Sequence, residues 1–202
     1  MDYPRPTSPL DRRTILKALS LLNEKFEEES VIGEICLFGG TVMMLAFNAR
    51  LSTGDVDAVF QPAEVFRRRA REVAEEMQLS EDWLNDGVKG YVSNAPEYTS
   101  DGLPQMSNLR VIRPTAEYLL AMKCIAARMP SYTTKGDRHD IVFLMNYLGL
   151  ETVEAVLMAV EKFYSSEHIL PKTQFLIREL VEEGRGSDPK LGGPPTDTNP
   201  RP

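Results

Sequence analysis

The sequence predicts an α/β (α+β) fold. A strand-and-helix module spans residues 1–113, a helical C-terminal part packed on it spans 114–183, and a disordered tail spans 184–202. Three observations carry this reading. Short apolar runs alternate with helix-period stripes through the first half. After Pro114 the apolar residues recur almost only at helical spacing, so the later part reads as helices that share a core with the early module. From Gly184 onward the chain is mostly Gly, Pro, Asp and Asn, with almost nothing to bury.

Taken in order, Ser8-Pro9 opens the first helix, with Ser8 as N-cap and Pro9 in the first turn. Ile15, Leu16, Leu19, Leu22 and Phe26 form its stripe. Residues 35–38, Ile-Cys-Leu-Phe, form the first strand. Gly39-Gly40-Thr41 turns into a second helix bearing Val42, Leu45 and Ala46, and residues 50–54 make a short loop. The second strand covers 56–60. Pro62 starts a third helix with Val65, Phe66, Val73 and Met77 inward. Residues 83–92 are rich in turn formers, and 109–112 form a further strand. Pro114-Thr115 launches a helix to 129, a loop follows at 133–136, and 137–148 is helical with Ile141, Leu144, Met145 and Leu148 inward. Helices over 152–164 and 173–182 complete the chain.

With 202 residues and 42% apolar content, the chain can build one good core, or a core plus a small helical appendage. The net charge of −7 argues against a non-specific duplex-DNA binder. Cys36 and Cys124 lie in apolar runs and read as buried small hydrophobes; with two histidines they cannot make a disulfide framework or a zinc site. No apolar run approaches the ~20 residues that span a bilayer, and the N-terminus lacks the apolar core of a signal peptide. The expectation is a cytoplasmic protein without membrane contact.

Asp55-Val56-Asp57 is the most informative feature. Carboxylates one residue apart on a strand share a face, and a pair of oxygen ligands aimed at one point suits a hard divalent cation. The bland alternative is a solvated strand end. Glycines let backbone approach a phosphate, and the helix that follows presents free N–H groups; the alternative for Gly39-Gly40 is only a tight turn. The chain has neither the Gly-Lys-Ser/Thr of a P-loop nor the third glycine of a dinucleotide fingerprint.

Gly39-Gly40-Thr41, followed by Arg50-Leu51-Ser52-Thr53-Gly54-Asp55-Val56-Asp57-Ala58-Val59-Phe60, resembles the polymerase-β-type nucleotidyltransferase superfamily. More narrowly it is similar to the minimal nucleotidyltransferases related to abortive-infection toxins of type IV toxin–antitoxin systems. The stretch from Asp82 to Gly90 is similar to a bacterial branch of that group. The resemblance covers roughly residues 10–150.

The resemblance implies a small mixed sheet flanked by helices. It implies a reaction moving NMP from a nucleoside triphosphate to a hydroxyl of RNA (a tRNA 3′ end), a protein or a small molecule, with Mg2+ or Mn2+ as cofactor. Asp55 and Asp57 would hold metal, and Gly39, Gly40, Thr41 and Thr53 would hold the triphosphate. Lys123 would meet phosphate, and Asp137 and Asp140 would complete the metal ligands, with Asp55, Asp57, Lys123 and Asp137 catalytic. An antitoxin would be a partner. Read from the residues alone, Asp137 is equally an N-cap and Lys123 a snorkelling lysine. Such enzymes often carry a third carboxylate on a later strand, and 109–112 has none. That absence supports the alternative of an inactive nucleotide-binding or protein-interaction module on the same fold. Arg67, Arg68, Arg69 and Arg71 read as a solvated helix face, Trp83 as a core anchor, and His139 and His168 have no assigned role.

Overall fold

Residues 9–127 and 135–186 are described in a computed structural model of the chain. The early half holds seven strands and three helices: β1 (Leu10–Asp11), α1 (Arg12–Glu28), β2 (Gly33–Leu37), α2 (Gly39–Leu45), β3 (Ser52–Thr53), β4 (Val56–Gln61), α3 (Ala63–Met77), β5 (Leu84–Asn85), β6 (Tyr98–Thr99) and β7 (Leu109–Pro114). The later half is helical: α4 (Ala116–Ala126), α5 (Lys135–Leu148), α6 (Val153–Glu161) and α7 (Pro171–Gly186). This is the α+β class that the alternation predicts.

The five-stranded sheet has the order β5-β4-β2-β7-β6. It is mixed: β2 pairs β4 antiparallel (Leu37 opposite Ala58) and β7 parallel (Cys36 opposite Ile112). Strand β4 alternates as its pleat requires. Val56, Ala58 and Phe60 are buried, and Phe60 stacks on Phe66 of α3 at 4.9 Å between ring centroids. Asp57 and Val59 point to the other face.

Helix α4 is buried on all sides from Tyr118 to Cys124, because β7 and α5, α6 and α7 all pack on it. One apolar cluster therefore runs from Leu10 to Val181, and the strand-and-helix part and the helical part share a core. Cys36 and Cys124 are both free and buried, and burial pushes the Cys124 thiol up to about 12.

Several boundaries differ from the sequence reading. The cap of α1 is Asp11, whose Oδ1 accepts from the Thr14 N–H at 2.8 Å; Ser8 lies outside the described residues. Leu10 and Asp11 pair with Thr53 and Ser52 instead of starting the helix. Thr115 caps α4 by accepting from Tyr118, and the predicted end of that helix at 129 lies outside the described residues, as do 133 and 134 of the predicted loop. Helix α5 begins at Lys135, so Asp137 sits in its first turn and is not its cap. Residues 184–186 belong to α7 and not to a tail; 187–202 lie outside the described residues. No single helix among the described residues is long and apolar enough to cross a membrane.

Candidate active site

The turn between β2 and α2 is where the site begins. Gly39 has φ +57°, a conformation that L side chains rarely adopt. A Cβ there would also stand 2.6 Å from Asp57 Oδ2. A Cβ on Gly40 would stand 2.6 Å from Thr53 Oγ1 and 3.1 Å from Arg50 Nη1. Both glycines are thus accounted for by protein atoms that press on the turn, and the Asp57 carboxylate is one of them. Arg12 fixes the far end of α2 by donating to the carbonyls of Met44 at 3.0 Å and Leu45 at 2.9 Å, two of the orphan acceptors of a helix end.

Asp55 stands just before β4 and is exposed, while Asp57 is half-buried on it. The Asp55 carboxylate accepts from Asn85 Nδ2 of β5 at 2.9 Å, and its backbone carbonyl accepts from Thr41 Oγ1 at 3.3 Å. Burial, and after it the Asp55 charge, raises the Asp57 carboxyl above its ordinary value; Lys123 and the Asn85 amide work in the opposite direction, and Asp137 adds to the rise. The fold therefore holds a carboxylate where its surroundings disfavour the charge.

Lys123 projects from α4 with its side chain 9% exposed. Its ammonium lies 2.6 Å from Asp140 Oδ2 and 3.7 Å from Asp137 Oδ1, both on α5. Asp137 and Asp140 lie three apart and share a helix face. Asp137 is half-exposed, whereas Asp140 is fully buried. Arg50 closes the group with two parallel bonds to Asp140, Nε to Oδ1 and Nη2 to Oδ2, each 2.7 Å.

The structure thus brings Asp55, Asp57, Lys123 and Asp137 into one neighbourhood beside Gly39 and Gly40. It also gives three of the expected residues protein partners of their own. Asp140, expected among the metal ligands, has both oxygens engaged by Arg50 and Lys123. Thr41 is fully buried and donates its hydroxyl to the Asp55 carbonyl. Thr53 is buried in β3 with its hydroxyl against Gly40.

Among the described residues, no three His, Cys, Asp or Glu side chains form a group able to hold a metal ion by themselves. Strand β7 carries no carboxylate; its Arg113 guanidinium lies over Phe47 and donates to the Asp101 and Pro114 carbonyls. The Asp55–Asp57 pair still fits a hard cation of the kind that takes one or two carboxylates and completes its shell with water and phosphate. The donors are oxygen only, and burial, with the Asp55 charge after it, raises the Asp57 carboxyl.

Two participants escape a reading of the sequence, Arg50 and Asn85. Arg50 heads the stretch that carries the family resemblance, yet its partner is 90 positions away and no local spacing reveals it. Asn85 acquires its place only because β5 pairs parallel with β4, setting Asn85 opposite Asp57. Elsewhere the quieter readings hold. Trp83 is 1% exposed and donates Nε1 to the Ala70 carbonyl at 3.0 Å. Arg67 and Arg68 are exposed and pair with Glu64, Asp86 and Glu29, whereas Arg69 departs from the solvated face: its side chain is 13% exposed and pairs with Glu72 and Glu29.

No protein-family model, curated protein or solved structure matches the chain.

Proposed function

We propose that the chain is a divalent-metal-dependent nucleotidyltransferase that moves NMP from a nucleoside triphosphate to an acceptor hydroxyl. The observation that supports this most is the Asp57 carboxylate pressed against the Gly39 turn, with Asp55 beside it and Lys123 and Asp137 reaching in from α4 and α5. Three separate elements deliver charge to one place, at the cost of a carboxylate in surroundings that disfavour it. A carboxyl raised in this way among convergent charged side chains is characteristic of sites that bind or react.

On this reading Asp55 and Asp57 hold the metal, which when bound would neutralise phosphate charge and orient the triphosphate. Gly39 and Gly40 give the phosphate chain a turn without side chains. Lys123, anchored on Asp140, sets a fixed positive charge beside Asp57 and Asp137. Asp137 is half-exposed and lies outside the Asp55–Asp57 pair, and it takes the hydrogen of the acceptor hydroxyl as that oxygen bonds to the α-phosphorus. The bond from the α-phosphorus to the bridging oxygen breaks, pyrophosphate leaves, and the proton passes to water. Catalysis here is positioning and charge compensation. The candidate acceptors are a tRNA 3′ end, a protein hydroxyl and a small molecule.

The test is incubation with each α-labelled triphosphate, Mg2+ and total cellular RNA or protein. Label transfer that disappears in Asp55→Ala/Asp57→Ala supports the reading; transfer that persists in that variant overturns it. A second reading, a nucleotide-binding module without transfer, is favoured by the absence, among the described residues, of three side chains arranged to hold a metal ion. Triphosphate binding without transfer to any acceptor would decide for it.

A further inference from the structure

We infer that Arg50 is the polyphosphate-binding cation of this site, and that the buried Asp140 is the residue that positions both Arg50 and Lys123. The inference rests on the nucleotide reading above and adds to it a residue and a substrate preference.

Asp140 is fully buried and carries two cations, Arg50 at 2.7 Å on each oxygen and Lys123 at 2.6 Å. One cation would suffice to neutralise it, since taking charge out of water is costly. Asp137, 3.7 Å from Lys123, balances the second cation, so it is the placement of Arg50 rather than an excess of charge that matters. The bidentate fork fixes the plane of the guanidinium as a lysine could not.

The space around Arg50 is built for that fixed group. A Cβ on Gly40 would stand 3.1 Å from Nη1, and one on Gly136 would stand 2.7 Å from Nη2. Two glycines, from the α2 turn and the first turn of α5, flank one pinned guanidinium. Nε and Nη2 are spent on Asp140, and no described residue accepts from Nη1. With the side chain 23% exposed, that unspent donor lies at the glycine turn with access to solvent.

A rigid donor beside a turn without side chains, with Lys123 held by the same anion, suits a chain of linked phosphates better than a single one. The ligand class is a polyphosphate: the triphosphate arm of a nucleotide, or the pyrophosphate that leaves.

The base is bypassed by titrating the full chain with inorganic tripolyphosphate and Mg2+ by calorimetry, with orthophosphate as control. Arg50→Lys keeps a cation on Asp140 and gives up the fork. We expect this variant to bind tripolyphosphate and triphosphates about tenfold more weakly, with its response to orthophosphate and its melting temperature little changed. A merely structural Arg50 would lower the melting temperature and leave the preference for linked phosphates untouched. Phenylglyoxal labelling of the wild type, read by mass spectrometry, needs no variant: Mg-tripolyphosphate should slow modification of Arg50. Equal tripolyphosphate affinity in Arg50→Lys, or unprotected Arg50, overturns this inference while Asp57-dependent triphosphate binding would leave the nucleotide reading standing. A wild type that binds neither tripolyphosphate nor any triphosphate overturns both.

Discussion

Replacing Asp140 by Asn separates an ionic hub from a metal ligand. The substitution preserves shape and removes only the charge. It leaves Arg50 and Lys123 as cations on a neutral amide, with side chains 23% and 9% exposed. Breaking a buried ion pair by deleting one partner costs about 3–5 kcal/mol. Arg50 retains partial access to water, so the lower end applies, about 3 kcal/mol. For a chain of this size that is a fall in melting temperature of about 6–12 °C. Urea unfolding should show a lower midpoint with an unchanged slope, since the surface exposed on unfolding stays the same. A carboxylate that exists to bind metal behaves in the opposite way, because removing it from the empty site relieves repulsion. A loss below about 1 kcal/mol, or a gain, would refute the hub.

Asp57→Asn should do what Asp140→Asn does not, and stabilise the metal-free protein. Its raised carboxyl means that the folded state binds protons more readily than the unfolded chain, so stability is lost as pH rises through the raised value. The advantage of the Asn variant should be greatest at neutral pH and vanish below the ordinary value of 3.8, as chemical denaturation at several pH values would show. Gly39→Ala places a Cβ at φ +57° and 2.6 Å from Asp57 Oδ2; it should cost about 1–2 kcal/mol from the backbone alone and impair triphosphate binding by displacing Asp57, both measurable on the purified variant. Alanine at Arg67, Arg68 and Arg71 together should leave label transfer unchanged, because these side chains already engage Glu64, Asp86, Glu29 and the Arg67 carbonyl; a loss of transfer to RNA in that triple variant would assign the face to the acceptor.

Much of the fold was legible because its signals are local. The apolar run 35–38 and the stretch 56–60 lie within β2 and β4 or next to them, and Pro114-Thr115 stands at the entry to α4. What escaped depends on distant pairing. Strands β1, β3, β5 and β6 have two residues each, too short for any alternation to show, and exist only through their neighbours. Ser8 and Asp11 are both good caps on paper; Asp11 serves because Leu10 and Asp11 are drawn into a ribbon with β3. In the site, Asp57 takes its face from β4 while Asp55 stands one residue before that strand, and the approach of Asp57 to Gly39 follows from antiparallel pairing of the strands that flank the turn. Asp140 shows the limit: nothing in the spacing from Asp137 reveals that a partly exposed arginine 90 positions away holds it.

The central claim is that Asp57 and Asp55 form a metal-assisted triphosphate site. Thermal unfolding of the wild type and of Asp57→Asn, each with Mg2+ alone, a triphosphate alone and both together, tests it most directly. The account predicts a rise in melting temperature for the wild type only when both are present, of about 2.7 kcal/mol of stabilisation at a hundredfold excess over Kd, and no such rise in Asp57→Asn. No shift in the wild type with any of the four triphosphates, or an equal shift in the variant, would contradict it.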